Sequence, residues 1–496
     1  MPCTADVVPR CRLLGAHILA VLFDRDLAVS FDRDTESDNL RRMTSDPRDV
    51  IAQSSMSRLQ ILVVGVTIAL NALDGFDILS ISFASPGIAA EWGIDRARLG
   101  IVLSMELIGM AIGSIVLGRV ADKIGRRPTI LGCLAVMSFG MIMATTVTGL
   151  IDLSIWRVVT GLGIGGMLAA INAVSAEFSS TRRRHLSVSL MSIGYPLGAV
   201  AGGIVAAQLL QGNDWRSVFY FGAAVTAVLI PITYFIVPES VHWLARKQPA
   251  GALEKINKAM ARMGHPTTTA LPTITADVRQ RAMSDIFGPG LLSVTVIVTL
   301  AYFFHITTFY FILKWVPKIV ADFGFAASSA AGVLVWTNVG GAIGGAVLGL
   351  LTLRFGVKGL TIVVMVLSTV MVALFGRTPP DLQQLSMICA AAGFCTNAAI
   401  VGMYAIIAQV FPTHVRASGT GFAVGVGRGG SVLAPIIAGF LFTYGYSLPS
   451  VALTMSFGSL VAAGILSFLK LETDQTVTAR PERSVRTTAI PATGRS

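Results

Sequence analysis

Apolar residues along this chain gather in long runs, separated by short polar stretches. Twelve runs are long enough to cross a hydrocarbon core of about 30 Å. They cover 60–86, 99–119, 128–148, 152–176, 187–210, 216–237, 291–313, 329–352, 359–376, 385–409, 417–443 and 449–469. None alternates apolar and polar positions as a barrel strand does, and backbone facing lipid must satisfy its own hydrogen bonds, so each run is expected to be a helix. The pattern predicts an all-α, polytopic membrane protein with twelve transmembrane helices.

Pro238 to Gly290 is polar, basic and proline-containing, and it divides six spans from six. The halves echo one another. "GRVADKIGRR" (Gly118 to Arg127) returns weakly as "GLLTLRFGVK" (Gly349 to Lys358), and "AEFSSTRRRHLS" aligns with "AQVFPTHVRASG", pairing Arg184 with Arg416. Such duplication is usual in transporters built as two bundles around a central site. The expected organisation is two pseudo-symmetric six-helix bundles, 59–237 and 291–469, joined by a central loop over 238–290 and followed by a tail over 470–496. Residues 1–58 form an N-terminal segment. Its apolar run 13–23 is too short to span, and no A-x-A cleavage site follows it. The first 42 residues read as disordered or as lying upstream of a true start at Met43.

Composition narrows the class. The chain is 53% hydrophobic and 13% charged, whereas a soluble domain carries about 25% charged residues. A net charge of +11 in a soluble protein would suggest nucleic acid, but here the basic residues sit in short loops and nucleic-acid binding is not expected. Loops after even-numbered spans hold most of them, including Arg119, Lys123, Arg126, Arg127, Arg182, Arg183 and Arg184; loops after odd-numbered spans hold only Arg96, Arg98, Arg216, Lys314, Lys318 and Arg377. Both termini and the central loop are therefore expected on the cytoplasmic side of an inner membrane. The five cysteines have no metal or redox spacing. No Walker motif or hydrolase constellation is present, so the expectation is a carrier that is not an enzyme, with no cofactor and no metal site.

The chemistry is concentrated in a few charges inside apolar runs. "NALDGFDILS" places Asp74 and Asp77 deep in the first span, where each charge costs a few kcal/mol or more. Spaced i and i+3, they share one helical face. Close like charges in a low dielectric cannot both ionise cheaply, so the pair is a candidate proton site. A structural ion pair with Arg157 or Arg428 is the alternative. Gly75 between them would let the helix bend or another backbone come close. Arg157 opens "RVVTGLGIGG", whose glycines suit close helix approach, while an arginine in a span faces a cavity or an ionic partner. Arg428 lies near mid-depth in the eleventh span, and a planar guanidinium binds a carboxylate bidentately. In "AYFFHITTFYFILKW" most aromatic residues read as packing; Tyr302 and His305 are candidates to line a substrate cavity.

The loop after the second span has the pattern G-x-x-x-D-[RK]-x-G-[RK]-[RK] at Gly118, Asp122, Gly125, Arg126 and Arg127. With Arg157, Gly161, Gly163 and Gly165, matching R-x-x-x-G-x-G-x-G, it carries a resemblance to the major facilitator superfamily over nearly the whole chain after residue 58. The resemblance implies a gating role for this loop, with Asp122 tying the end of the second helix to the start of the eleventh; a carboxylate is favoured at a helix N-terminus. The second copy has Leu353 at the equivalent of Asp122 and would latch more weakly. "GYPLGAVAGG" lacks the exporter signature because Tyr195 precedes Pro196, which favours uptake.

More narrowly, "DGFD" (Asp74 to Asp77), "FPTHVRASG" and "GVGRGG" resemble the aromatic acid:proton symporter family. That likeness implies that Asp74 and Asp77 serve proton-coupled uptake, and that Arg157, Arg416, Arg428 and Glu177 are functionally important. It implies symport of a proton with an aromatic carboxylate, such as a hydroxybenzoate or lignin-derived acid, into the cell by alternating access. The partners would be the small-molecule carboxylate, protons and membrane lipids, and the carrier a monomer. A carrier of a muconate-type acid or dicarboxylate and a proton-driven exporter are the alternatives. A ligand sensor would require a sizeable cytoplasmic signalling domain, which neither tail is large enough to supply.

Overall fold

A computed structural model describes residues 46–272, 283–288, 290–412 and 415–469. The expectations for residues 1–42 with a start at Met43, and for the tail 470–496, lie outside the described residues. So does part of the central loop.

Among the described residues, twelve helices are long and apolar enough to cross a membrane. In chain order they are α2 (Arg58–Trp92), α3 (Arg96–Ile124), α4 (Arg126–Thr146), α5 (Leu150–Glu177), α6 (Arg184–Leu209), α7 (Arg216–Ile236), α10 (Leu292–Asp322), α11 (Ala327–Leu351), α12 (Val357–Phe375), α13 (Leu382–Val410), the paired α14 (Arg416–Gly427) and α15 (Gly429–Thr443), and α16 (Leu448–Ser467). Three short helices, α1 (Pro47–Gln53), α8 (Val241–Lys247) and α9 (Ala252–Met263), lie before and between the two sets. Large apolar residues such as Ile115, Val228, Phe235 and Leu350 point outward. In a bilayer that outward face meets lipid, which is as apolar as they are.

Local chemistry sets the helix limits. Ser57 and Gln60 form a reciprocal capping box at the start of α2, and Gly93 ends it with φ of 58°. Asp95 caps α3 by accepting from the Arg98 amide at 2.8 Å. Gly125 turns α3 into α4 with φ of 111°; a Cβ there would also strike the Glu239 carboxylate at 2.3 Å.

One predicted limit is wrong in an instructive way. The apolar run of the seventh span stops at residue 313, yet α10 continues to Asp322 and buries Lys314 completely. The charge does not end the helix because it finds acceptors inside the protein: the Ile78 carbonyl and the Glu106 carboxylate. Lys314 is a span residue, not a loop residue.

The first six spans pack mainly on one another, as do the last six. Close approach depends on glycine at several seams, two of them in the first set. A Cβ on Gly198 of α6 would sit 1.7 Å from the Ala72 oxygen of α2, and one on Gly75 would sit 2.0 Å from the Tyr195 oxygen. Gly161 and Gly165 bring α5 equally close to α3, each 2.1 Å by the same measure from a carbonyl oxygen of Glu106 or Met110.

The two sets of helices meet at the end where α3 begins. Arg96 pairs with Asp322 at 2.9 Å and lies over the Phe442 ring. The Ala97 amide donates to the Thr443 hydroxyl at 2.9 Å, and the Ser104 hydroxyl to the Val432 carbonyl at 2.7 Å. Gly100 abuts Pro435, and Gly203 of α6 abuts Val335 of α11.

Candidate functional site

Asp74 and Asp77 lie at the middle of α2, 1% and 0% exposed, and none of their four carboxylate oxygens has a hydrogen-bond partner among the described residues. A buried carboxylate without a hydrogen bond is a costly anion and a far cheaper neutral acid. The neighbouring Asp77 carbonyl is occupied, accepting from the Ser80 hydroxyl at 2.6 Å and from Arg157 at 3.2 Å.

Arg157 projects from α5 and is fully buried. Its guanidinium donates to the Glu106 carboxylate of α3 and lies 5.2 Å above the Phe219 ring. It therefore has an ionic partner, and that partner is not one of the two aspartates. Sequence patterning gives Glu106 no role and puts Lys314 in the loop after the seventh span. Glu106 was open to detection, as a lone acid in the apolar stretch "SMELIGM". Lys314 was hidden at the edge of its run.

Arg428 occupies the joint between α14 and α15 and is half-buried. No carboxylate lies within ion-pairing distance of it among the described residues. Its charge bears on Tyr302, Tyr310 and Tyr404, and also on Tyr195 and Asp74. The Tyr302 and Tyr404 hydroxyls are 3.0 Å apart, with ring centroids at 5.7 Å. Gly427 lets the backbone beside Arg428 press on the Tyr302 ring. The result is a cation near the hydroxyl-bearing Tyr302–Tyr404 pair, which suits a planar carboxylate. A narrow cleft of about 30 Å³ opens nearby, lined by Tyr195, Phe309, Thr337, Asn338 and Asn397. A larger cavity of about 200 Å³ lies at the Arg96 end, beside Asp322 and Phe442, away from the two aspartates.

His305 does not line this site. Its Nε2 faces the Thr396 carbonyl at 2.9 Å and its Nδ1 faces the Ser459 hydroxyl at 2.9 Å. A carbonyl can only accept, so Nε2 carries the proton and Nδ1 accepts. Both nitrogens are taken, and the ring holds α10 to α13 and α16.

At the opposite end of the helices, Asp122 accepts from Arg126 at 2.7 Å and from Arg246 of α8 at 3.4 Å. Arg126 also reaches Glu177 at 3.4 Å. Glu239 accepts from the Arg126 amide at 2.8 Å and so caps α4 from outside it. Arg127 lies 4.6 Å over the Tyr234 ring. Gly118 makes no close contact, its Cβ position meeting only Ala169 at 3.8 Å. Among the described residues Asp122 makes no tie to the start of the eleventh span: Arg416 is exposed and donates to the Phe411 carbonyl at 3.2 Å. The reason is geometric. The two sets of helices hold each other at the Arg96 end, so Asp122 turns to Arg126 of its own set and to Arg246 of the central-loop helix α8.

Comparisons with known proteins agree with this architecture. The chain is 28% identical over 409 residues to the gallate transporter of Pseudomonas putida, covering 82% of this chain and 90% of the relative. It is 27% identical to the 4-hydroxybenzoate transporter PcaK of the same species, covering 82% and 91%. The inward-open xylose transporter XylE of E. coli superposes with a TM-score of 0.66 at 18% identity, over 84% of this chain and 98% of that one. At that identity the likeness concerns the fold alone. The family model of the Major Facilitator Superfamily matches residues 67–336 and 298–495. Twelve spans in two packed sets, an arginine-rich turn after the second span and this family match lead to one conclusion: the chain is a membrane carrier, not an enzyme, and belongs to the Major Facilitator Superfamily.

Proposed function

We propose that this protein carries an aromatic carboxylate into the cell together with a proton, across a bacterial inner membrane. The observation that carries the reading is the pairing of two buried, unpartnered aspartates with an arginine set among tyrosines. Arg428 binds the substrate carboxylate, and Tyr302, Tyr404, Tyr310 and Tyr195 surround the ring. Asp74 and Asp77 hold the coupling proton. The relatives that transport gallate and 4-hydroxybenzoate support a substrate of this class. Arg157 positions α2 through the Asp77 carbonyl and pairs with Glu106 beside it.

The bundles 59–237 and 291–469 rock about this site. The basic end, with both termini and the central loop, faces the cytoplasm, in line with its arginines and lysines. Contact between the bundles at the Arg96 end corresponds to a carrier closed to the outside. Gly118, Asp122, Gly125, Arg126, Arg127, Glu177 and Arg416 belong to the cytoplasmic gate, which closes when Asp122 reaches the second bundle. The carrier works as a monomer.

Uptake of radiolabelled acids into cells or vesicles tests the substrate class. Hydroxybenzoates and other benzoates should be taken up and compete with one another, while dicarboxylates and muconate should do neither. Transport of the dicarboxylates alone would replace the aromatic reading with that of a general organic-anion carrier.

A further inference from the structure

The fully buried Lys314 and Glu106 form an ionic contact across the seam between the two sets of helices. Glu106 belongs to α3 and Lys314 to α10; the Nζ is 3.7 Å from Oε2 and also donates to the Ile78 carbonyl of α2. Oε1 of the same carboxylate is taken by Arg157, while Oε2 has no hydrogen bond of its own. Glu106 thus stands between two cations. Arg157 travels with it on the first set of helices. Lys314 belongs to the second set.

That difference matters when the Arg96 end opens. Arg96 and Glu106 share α3 ten residues apart, about 15 Å along the helix, and Lys314 and Asp322 share α10 eight residues apart, about 12 Å. The pair is the inner rung of a seam whose outer rung is Arg96–Asp322. Parting the outer rung draws Lys314 off Glu106 and off the Ile78 carbonyl.

We infer that Lys314 is a movable counter-charge: it docks beside Glu106 when the Arg96 end is shut, withdraws when that end opens, and is replaced there by a proton taken up on the Glu106–Asp77 cluster. The inference rests on the proton-coupled reading proposed above and supplies its switch. The charged and titratable groups facing the cluster are Asp74 and Asp77 on α2, Arg157 on α5, Lys314 and Tyr310 on α10, Tyr195 on α6 and Arg428 at the head of α15. With Lys314 withdrawn, Arg157 balances only one anion, so one of Glu106 and Asp77 binds a proton from the open side. With Lys314 docked, a second anion is balanced, and the proton leaves by the opposite side. No covalent bond other than the acid O–H forms or breaks, and one proton crosses per cycle. An ammonium suits the task because it is a compact point charge on a flexible stem, needing no planar partner.

The test needs no substrate. A reporter cysteine replaces Ala97, which is buried in the seam against Thr443, in the full-length protein, and labelling by a membrane-impermeant maleimide follows opening of the Arg96 end. The protein without the reporter gives the blank. Labelling of the parent, divided at each pH by the rate of a fully exposed thiol so that the falling thiolate fraction cancels, should speed up as pH falls, by about tenfold per unit within the titrating range if one proton accompanies opening. Lys314→Gln keeps a donor for the Ile78 carbonyl but removes the charge; labelling should become at least fivefold faster at neutral pH and lose its pH dependence. Lys314→Arg should restore the dependence, and Glu106→Gln should abolish it. A Lys314→Gln protein, or a Glu106→Gln protein, with parental rate and pH slope would overturn the inference and leave Lys314 a structural hydrogen bond. Because no substrate is present, failure here is separate from failure of the aromatic-acid reading, which uptake alone decides.

Discussion

At the scale of single residues, two arginines inside apolar spans that look alike in the sequence differ in what they have left to bind. Arg157 is committed to Glu106, the Asp77 carbonyl and the Met141 sulfur, while Arg428 faces tyrosines and no carboxylate among the described residues. Arg428→Lys keeps the charge and loses the planar fork, so the half-saturating substrate concentration should rise tenfold or more, on the order of 1.4 kcal/mol. Uptake kinetics on inserted protein read this directly, and an unchanged value would remove Arg428 from the binding site.

Asp74 and Asp77 were legible because a charge in an apolar run announces itself. Glu106 sent the same signal. Lys314 did not, since hydropathy places a lysine at the end of a run outside the membrane and only its partners on α2 and α3 bring it inside. His305 was ambiguous for a different reason: a histidine satisfied by a carbonyl and a hydroxyl from distant helices reads, in sequence, like one lining a cavity.

At the scale of elements, the helix count and most limits follow from apolar run length, whereas helix proximity follows from small residues whose partners the sequence does not name. Gly198 and Gly132 are both helical glycines, yet only Gly198 meets another backbone. Gly198→Val should force α2 and α6 apart, lowering stability by about 1–3 kcal/mol or more and the unfolding temperature in detergent. Gly132→Ala, with nothing within 4 Å of its Cβ position, should be neutral or slightly stabilising. Equal effects of the two would contradict the packing described.

The short helix α8 carries a pH-dependent contribution. Burial, with Arg184 and Arg48 nearby, outweighs the pull of Glu177 and Asp46 and holds His242 below the ordinary histidine value of 6.5. Its Nδ1 is buried without a hydrogen-bond partner. The unfolded chain therefore binds a proton more readily than the folded one, and stability falls as pH drops below about 6.5. Thermal unfolding between pH 7.5 and 5, at about half-unit steps, should show this decline, and His242→Gln should flatten it. An identical decline in the variant would assign it to other groups.

At the scale of the whole molecule, the sequence carried the twofold plan through its duplicated loops, but not the state of the carrier. A latch between Asp122 and the eleventh span would need the basic ends to meet; among the described residues the two sets touch at the Arg96 end, and Asp122 bonds Arg126 and Arg246. Sequence motifs specify which groups can pair, while the conformation decides which of them do. The central claim is that movement between such states exchanges a proton along with the acid. One proton with one monoanion moves no net charge, so the pH gradient alone should drive accumulation, at about 1.4 kcal/mol or tenfold per unit. The most direct measurement is the steady-state level of a radiolabelled hydroxybenzoate in vesicles under an imposed gradient of about one unit, acidic outside. The parent protein should accumulate the acid roughly tenfold, whereas Asp74→Asn and Asp77→Asn should only equilibrate it even where they still bind it. Mere equilibration by the parent, or full accumulation by either neutral variant, would contradict that claim.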